Sequence, residues 1–259
     1  MGENCGMADR EVGVPLSRPD VWTACQPAGS VPVRLLLLLD SRSPAGAHSH
    51  SGGMEAAVTA GFVATVTDVR DFCRGRLATA GPVAASFAAT ACRGWLAGWA
   101  PGQWAELDAE LSARTPSPAT RRASRALGGG LRRLLLATVP GQAPAITTAW
   151  AGCPAPAPHQ PLVLGAATAL VGGSPTVAAQ AAALGSCVAP ASAAVRLLGL
   201  DPYAVHAVLS ELAVEIERCA LAAEPAADDR LADLPAGSAP AVELLADVHA
   251  ASEVRLFAS

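Results

Sequence analysis

The sequence predicts an all-α fold, a single helical-bundle-like domain of about 8–10 helices behind a disordered N-terminal extension. Apolar residues recur at helical spacing from Val33 onward, for example at Met54, Ala57, Val58, Gly61 and Phe62. Hydrophobic residues make up 51% of the chain but aromatics only 4%, so the core must consist mainly of Ala, Leu and Val. No segment shows the alternating pattern of a half-buried strand.

The elements follow in order from these patterns. Residues 1–32 are the predicted extension, because they are spotted with Pro and Gly and lack apolar periodicity. The folded domain is expected over residues 33–259. Helices are predicted at residues 54–63, 67–77, 82–95, 103–113, 116–137, 159–171, 175–198, 201–219 and 240–252. Residues 139–158, rich in Pro, and the acidic residues 224–237 are interpreted as connectors.

Local signals support several of these boundaries. Glu55 lies in a first turn, where a carboxylate complements the free N–H groups and the positive end of the helix dipole. Thr67 and Asp68 are expected to begin the next helix. Asp201 followed by Pro202 supplies an N-cap with proline at the first helical position.

The helix over residues 116–137 has an arginine-rich face. On a helical wheel, five arginines fall within an arc of about 120°, opposite three leucines; they are Arg121, Arg122, Arg125, Arg132 and Arg133. Two interpretations are open, a solvated basic face or a docking surface for an acidic protein. The three glycines at residues 128–130 cost up to about 1 kcal/mol each relative to Ala, which predicts close packing or a local break.

Charge and cysteine usage exclude several classes of protein. All 18 basic residues are arginine, and 22 acidic residues bring the formal net charge to −4, unlike a nucleic-acid binder. The seven cysteines are scattered without a CxxC pair, which suits a reducing compartment with buried thiols better than a disulfide framework or a zinc site. The apolar residues 162–194 are interrupted by Gly172, Gly173, Ser174, Pro175 and Pro190, so buried helices are expected rather than a membrane span.

No catalytic or metal site is predicted. His48, His50 and Glu55 suggest a metal cluster, and Ser51 beside His50 suggests a nucleophile and base. Adjacent residues on a loop rarely converge, however, and no third orienting group is identifiable. A chain without lysine has no phosphate loop of the G-x-x-x-x-G-K-[ST] type, so it is expected not to bind GTP. We therefore expect a protein that is not an enzyme.

The most distinctive segment is the loop over residues 44–55, in which histidines and serines lie between Pro44 and paired glycines followed by a glutamate. It resembles the N-terminal signature of the urease accessory protein UreF family. The matching positions are Pro44, Gly46, His50, Ser51, Gly53, Met54, Glu55 and Gly61, while His48 stands where an aromatic residue is usual.

Four further motifs follow in the family's order, and the resemblance covers about residues 33–259. Arg122-x-Ser124 with Gly128 and Leu131 resembles its central arginine helix. The spacing of His159, Pro161, Val163 and Gly165 resembles the entry to its apolar helix. Ser192-x-Ala194-x-Arg196-Leu197 and the closing His249 with Arg-Leu-Phe-Ala-Ser at residues 255–259 complete the series. Asp201-Pro202 replaces a polar Gln or Gly-Gln that often follows the arginine.

The resemblance implies an all-helical cytoplasmic adaptor, typically a dimer. It would act with UreD (also called UreH), the GTPase UreG and the urease structural subunits to deliver nickel to apo-urease. Nickel would be the cargo and GTP would be bound by the partner, so this chain would carry no cofactor of its own. The alternative is a helical membrane-associated or regulatory protein without a urease role.

The resemblance also implies roles for individual residues. The expected partner-binding residues are His50, Ser51, Glu55, Arg122, Ser124, Arg196, His249, Arg255, Leu256 and Phe257. Those expected to serve structure are Pro44, Gly46, Gly53, Gly61, Gly128 and Gly165.

Some of these roles have alternatives. His50 and Ser51 can instead cap the following helix. Arg196 can form a buried pair with a carboxylate, lie exposed at an interface, or act as an arginine finger for the GTPase. Leu256 and Phe257 can fold back onto the chain's own helices or anchor in a partner groove; the resemblance favours the partner, with Arg255 pairing an acidic group of UreD.

Overall fold

The computed structural model describes residues 32–40, 42–154, 156–226 and 230–259, and these residues form helices without any strand. The helices are α1 (Val33–Leu39), α2 (Met54–Thr59), α3 (Val66–Ala78), α4 (Ala80–Leu96), α5 (Pro101–Ala113), α6 (Pro118–Thr138), α7 (Ala143–Ala149), α8 (Gln160–Leu170), α9 (Pro175–Leu198), α10 (Pro202–Glu211), α11 (Ala213–Ala226) and α12 (Pro240–Ala250). Three 3₁₀ turns lie at Ala47–Ser49, Pro140–Gln142 and Leu231–Asp233. The all-α prediction is confirmed, whereas the predicted extension lies outside the described residues except for Pro32.

The described residues contain twelve α-helices rather than about 8–10, and three of them were not predicted separately. Helix α1 precedes the first predicted helix and buries Leu35 and Leu38. Residues 139–158, predicted as a connector, include α7, because burial of Ile146, Ala149 and Trp150 holds a short helix against the core. The helix predicted from Asp201 divides at Leu212, where α10 ends and α11 begins.

Helix α3 begins at Val66, one residue before its predicted start. Thr65 is the N-cap: its hydroxyl accepts from the Asp68 N–H, and the Asp68 carboxylate accepts from the Thr65 N–H. This reciprocal capping box satisfies two N–H groups that a helix cannot pair internally.

Helices α4 and α9 contribute to two hydrophobic clusters that together form the core. The first cluster contains the large side chains Phe87, Trp104, Leu135, Ile146 and Leu162. The second gathers the buried sides of α2, α3, α10 and α11; its members include Met54, Cys73, Leu212, Ile216 and Phe257. Many of the remaining core residues are alanine, so the helices pack closely.

Helix α9 is, within the described part of the chain, the one helix long and apolar enough to cross a membrane by length and composition. Half of the 18-residue apolar stretch of α9 is buried inside the protein. The core helix of a globular protein passes the same test, and α9 packs against α4, α8 and α11.

Candidate functional site

The loop that precedes α2 adopts a conformation that requires glycine. Gly46, Gly52 and Gly53 have φ values of 89°, 61° and 91°, in the left-handed region that side chains disfavour. A Cβ on Gly53 would also lie 2.9 Å from Cγ1 of Val242 on α12. The signature glycines therefore shape the loop that presents Ser51 and Glu55.

Residues 255–259, hereafter the tail, lie against this loop and are held by Glu55. The Glu55 carboxylate accepts from the backbone N–H groups of Leu256 (2.6 Å) and Phe257 (2.9 Å). Glu55 is 7% exposed, so its charge is almost wholly removed from water and compensated by these donors. The tail is thus fixed by hydrogen bonds to its backbone, whatever its side chains contact.

Ser51 and His50 hold the last residue of the tail. The N–H and hydroxyl of Ser51 both donate to the main-chain oxygen of Ser259, each at 2.6 Å, and His50 Nδ1 lies 2.6 Å from Ser259 Oγ. Ser51 Oγ also accepts from the Glu55 N–H at 3.2 Å. Capping of α2 and tail binding are therefore two roles of one hydroxyl.

The imidazoles beside the tail differ in their surroundings. His249 Nε2 lies 3.3 Å from Glu55 Oε2, within ion-pair distance but outside hydrogen-bond geometry, and it has no hydrogen-bond partner among the described residues. Burial, with a smaller contribution from His48, lowers the pKa of His50. Nδ1 of a neutral His50 can donate a hydrogen bond to the Ser259 hydroxyl or accept one from it, depending on the tautomer.

The side chains of the tail divide between the core and solvent. Phe257 is 4% exposed and belongs to the second core cluster, so it does not present its ring to a partner in this conformation. In the described structure Phe257 therefore adopts the self-packing alternative, because the chain supplies its own apolar surface; its role in binding a partner stays a prediction. Leu256 is 56% exposed, and Arg255 is exposed as well.

Arg196 connects the tail to α9. Its guanidinium is exposed, lies 4.5 Å from the centre of the Phe257 ring, and donates to the His48 carbonyl at 3.2 Å. A buried pair with a carboxylate, one of the open alternatives, is therefore not what forms. Arg196 stacks on the aromatic ring, which stabilises the tail through a cation–π contact.

The predicted arginine face of α6 is not one continuous solvated surface. Arg122 is exposed, but Arg125 is 11% exposed and donates to the fully buried Asp108 at 2.7 Å. Ser124 Oγ accepts from the Gln160 N–H at 3.2 Å and so fixes the start of α8. Ser124 and Arg125 therefore make contacts within the protein.

Asp108 is the centre of a buried network that sequence reasoning missed. It also accepts from the His159 N–H at 3.0 Å, and His159 Nε2 lies 2.9 Å from Ser112 Oγ. Burial lowers the pKa of His159 to about 4. The only signal in the sequence was an acidic residue on an amphipathic helix, which does not reveal a partner on α6.

Two glycines allow close contacts between helices and neighbouring backbone. A Cβ on Gly128 would lie 2.1 Å from the carbonyl oxygen of Pro158. A Cβ on Gly165 would lie 2.1 Å from the carbonyl oxygen of Ala88. Both positions therefore exclude side chains. Gly61 has a φ of 77°, and Pro44 lies in an exposed turn.

Helix α12 is joined to the first turn of α6 by polar contacts. Asp247 accepts from the Ser117 hydroxyl (2.8 Å) and the Ala119 N–H (3.0 Å), and Glu243 accepts from the Ser117 N–H (2.7 Å). These hydrogen bonds lower the pKa of Asp247. These contacts hold α12 against the start of α6.

The outer face of α12 and the segment after it remain apolar and exposed. The exposed fractions are 69% for Leu244, 68% for Val248, 92% for Val254 and 56% for Leu256. Among the residues that the structure describes, no group of three or more His, Cys, Asp or Glu side chains could hold a metal ion. The four exposed side chains thus form an apolar flank along α12 and the segment after it.

The described residues define the class of the protein as all-α, with a tail bound by its signature loop and an apolar flank on α12. The UreF family model matches residues 63–213. A urease accessory protein UreF of Mycolicibacterium vanbaalenii is 43% identical over 226 residues, covering 87% of this chain and 97% of the relative. Those of Mycobacterium marinum (42%; 87% and 97% covered) and Mycobacterium tuberculosis (40%; 83% and 92% covered) are also similar.

The chain belongs to the UreF family of urease accessory proteins. This membership supports a role in urease maturation, as an accessory protein within a urease accessory complex.

Proposed function

We propose that the chain is an adaptor that binds UreD (UreH) and UreG and couples GTP hydrolysis by UreG to nickel insertion into apo-urease. It would work in the cytoplasm as a homodimer within the complex, through the domain over residues 33–259. Nickel is the cargo and GTP the ligand of UreG, so the proposal requires no cofactor in this chain and no catalytic residue.

The observation that carries the proposal is the exposed apolar flank formed by Leu244, Val248, Val254 and Leu256. Exposed apolar side chains rimmed by polar groups mark protein-interaction surfaces. Glu55 and Ser51 fix the backbone beside this flank, so its side chains need little further ordering on binding. In this proposal Glu55, Ser51, His50 and His249 contribute indirectly, by holding the tail.

The remaining expected contacts are arginines. Arg255 and Arg122 are exposed and available to pair acidic groups of a partner. Arg196 is exposed too, although its stacking on Phe257 gives it a role in the free protein. In this proposal the α12 flank and Arg255 contact UreD, and Arg122 forms a second contact with a partner.

The test is co-expression with UreD, UreG and the urease structural subunits, followed by capture of the complex and a urease assay. Leu256→Asp is expected to reduce UreD capture at least tenfold and to lower urease activation, while the free protein keeps its thermal stability. The matched control is Leu221→Asp on α11, because Leu221 has the same exposed fraction of 56%. Equal capture by the wild type and Leu256→Asp would contradict the assignment of the flank.

A second measurement distinguishes an adaptor from a protein that itself carries nickel. The purified free protein is expected to retain no stoichiometric nickel after desalting, whereas the complex with its partners activates urease. Nickel bound tightly by the isolated chain at one equivalent would contradict the adaptor role.

A further inference from the structure

A cavity of about 710 Å³ lies between α1, α4, α6, α8, α9 and α12. Its volume falls in the range of small-molecule binding sites. Much of its wall is apolar; the larger side chains there include Leu38, Val83, Leu127, Leu131 and Leu164. The proposed adaptor function requires no ligand in this cavity, although His50, His249 and Phe257 of the tail site also line it.

Arg76, near the end of α3, also lines the cavity and is held in a fixed position. Its Nε donates to the Ser186 carbonyl at 2.8 Å, and its Nη1 donates to the Gly52 carbonyl at 2.9 Å. The Ser186 carbonyl is available because Pro190, four residues later in α9, has no N–H to donate to it. Both acceptors are neutral carbonyls, so they orient the guanidinium without cancelling its charge.

The described residues place no carboxylate within salt-bridge distance of Arg76, and its Nη2 has no hydrogen-bond partner among them. The side-chain carboxylates that line the cavity are engaged elsewhere: Asp40 pairs with Arg42, and Glu243 accepts from the Ser117 N–H. The main-chain oxygen of Ser259, which also lines it, accepts from Ser51. Burial lowers the pKa of Arg76, which reflects the cost of a cation in this site. An uncancelled cation at an apolar cavity favours an anionic ligand.

We propose that this cavity binds a small amphipathic anion, a carboxylate carried on an unbranched apolar chain. The carboxylate would accept from Arg76, whose planar guanidinium suits a carboxylate and keeps Nη2 free for it. The apolar chain would lie among the leucines of α1, α6 and α8. This site is independent of the apolar flank on α12.

The first experiment compares octanoate with 1-octanol by isothermal titration calorimetry on the full chain. Both probes carry the same chain length, but only octanoate carries the charge that Arg76 recognises. Octanoate is expected to bind with one site per chain and at least tenfold more tightly than 1-octanol. Equal affinities, or no octanoate binding at millimolar concentration, would overturn the proposal.

The second experiment changes the site. Arg76→Gln is expected to weaken octanoate binding at least tenfold and to leave 1-octanol unaffected, whereas Arg74→Gln, on the same helix but paired with Glu215 at the surface, leaves both unchanged. Since Arg76 also binds two carbonyls, Ala84→Phe serves as a second variant that fills the cavity, with its fold checked by circular dichroism. Unchanged octanoate affinity in either folded variant would refute the site.

Discussion

The Glu55 carboxylate joins the signature loop to the tail. It receives two N–H groups from the tail and lies beside His249, although the tail donors are 201 and 202 residues away in the sequence. Its place in the first turn of α2 was predictable from the sequence, but the partner of its charge was not. A buried carboxylate of this kind is stabilising only while its donors remain in place.

Replacing Glu55 by Gln is expected to release the tail. The amide offers one oxygen where the carboxylate offered two, and its NH₂ would oppose a backbone donor, so we expect a loss of about 1–3 kcal/mol in the free energy of unfolding. Faster amide hydrogen exchange at Leu256 and Phe257 would report the release. Glu253→Gln is the control, because Glu253 is exposed; unchanged exchange in Glu55→Gln would show that the carboxylate does not hold the tail.

His159 should make stability depend on pH. Its pKa is about 4 in the folded protein and 6.5 ordinarily, so between these values the unfolded chain binds a proton that the folded chain does not. Stability is therefore highest above pH 6.5 and falls as the pH drops towards 4, by up to about 1.4 kcal/mol per pH unit from this residue.

The measurement is urea unfolding of the wild type and His159→Gln at several pH values from 4.5 to 7. The variant is expected to show a shallower loss of stability on acidification, while His206→Gln, at an exposed position, keeps the wild-type slope. Parallel curves for the wild type and His159→Gln would mean that this imidazole does not carry the effect.

At the scale of elements, α6 shows how small residues decide packing. The sequence predicted close packing or a break at the three glycines, and the structure shows an unbroken helix from Pro118 to Thr138. The backbone of residues 158–160 lies against Gly128, and that of Ala45 lies against Gly130. These contacts compensate for the low helix propensity of glycine.

Gly128→Ala is expected to destabilise the protein by about 1–3 kcal/mol, although alanine favours helix by up to about 1 kcal/mol. Its Cβ would lie 2.1 Å from the Pro158 carbonyl oxygen, so backbone must move. The matched control is Gly185→Ala inside α9, where a Cβ meets nothing within 4 Å, so a gain of up to about 1 kcal/mol is expected. Thermal unfolding would compare them, and equal shifts would contradict the packing argument.

At the scale of the whole molecule, the members of both core clusters among the described residues lie between Leu35 and Phe257, and apolar periodicity in the sequence begins at Val33. We therefore expect deletion of residues 1–32 to leave the helical circular dichroism and the melting temperature within a few degrees of the wild type. A truncated chain that loses helical structure or cooperative melting would show that the first 32 residues contribute to folding.

The sequence by itself determined the helical fold class, the glycines of the signature loop and the membership in the UreF family. Helical periodicity and short motifs are local signals, readable without knowing what lies nearby in space. Tertiary structure decided the rest: that the core covers Phe257 while Leu256 faces solvent, that Arg125 pairs with Asp108, and that Arg76 faces a cavity. Those outcomes depend on contacts between distant segments, and such contacts arise only when the helices pack.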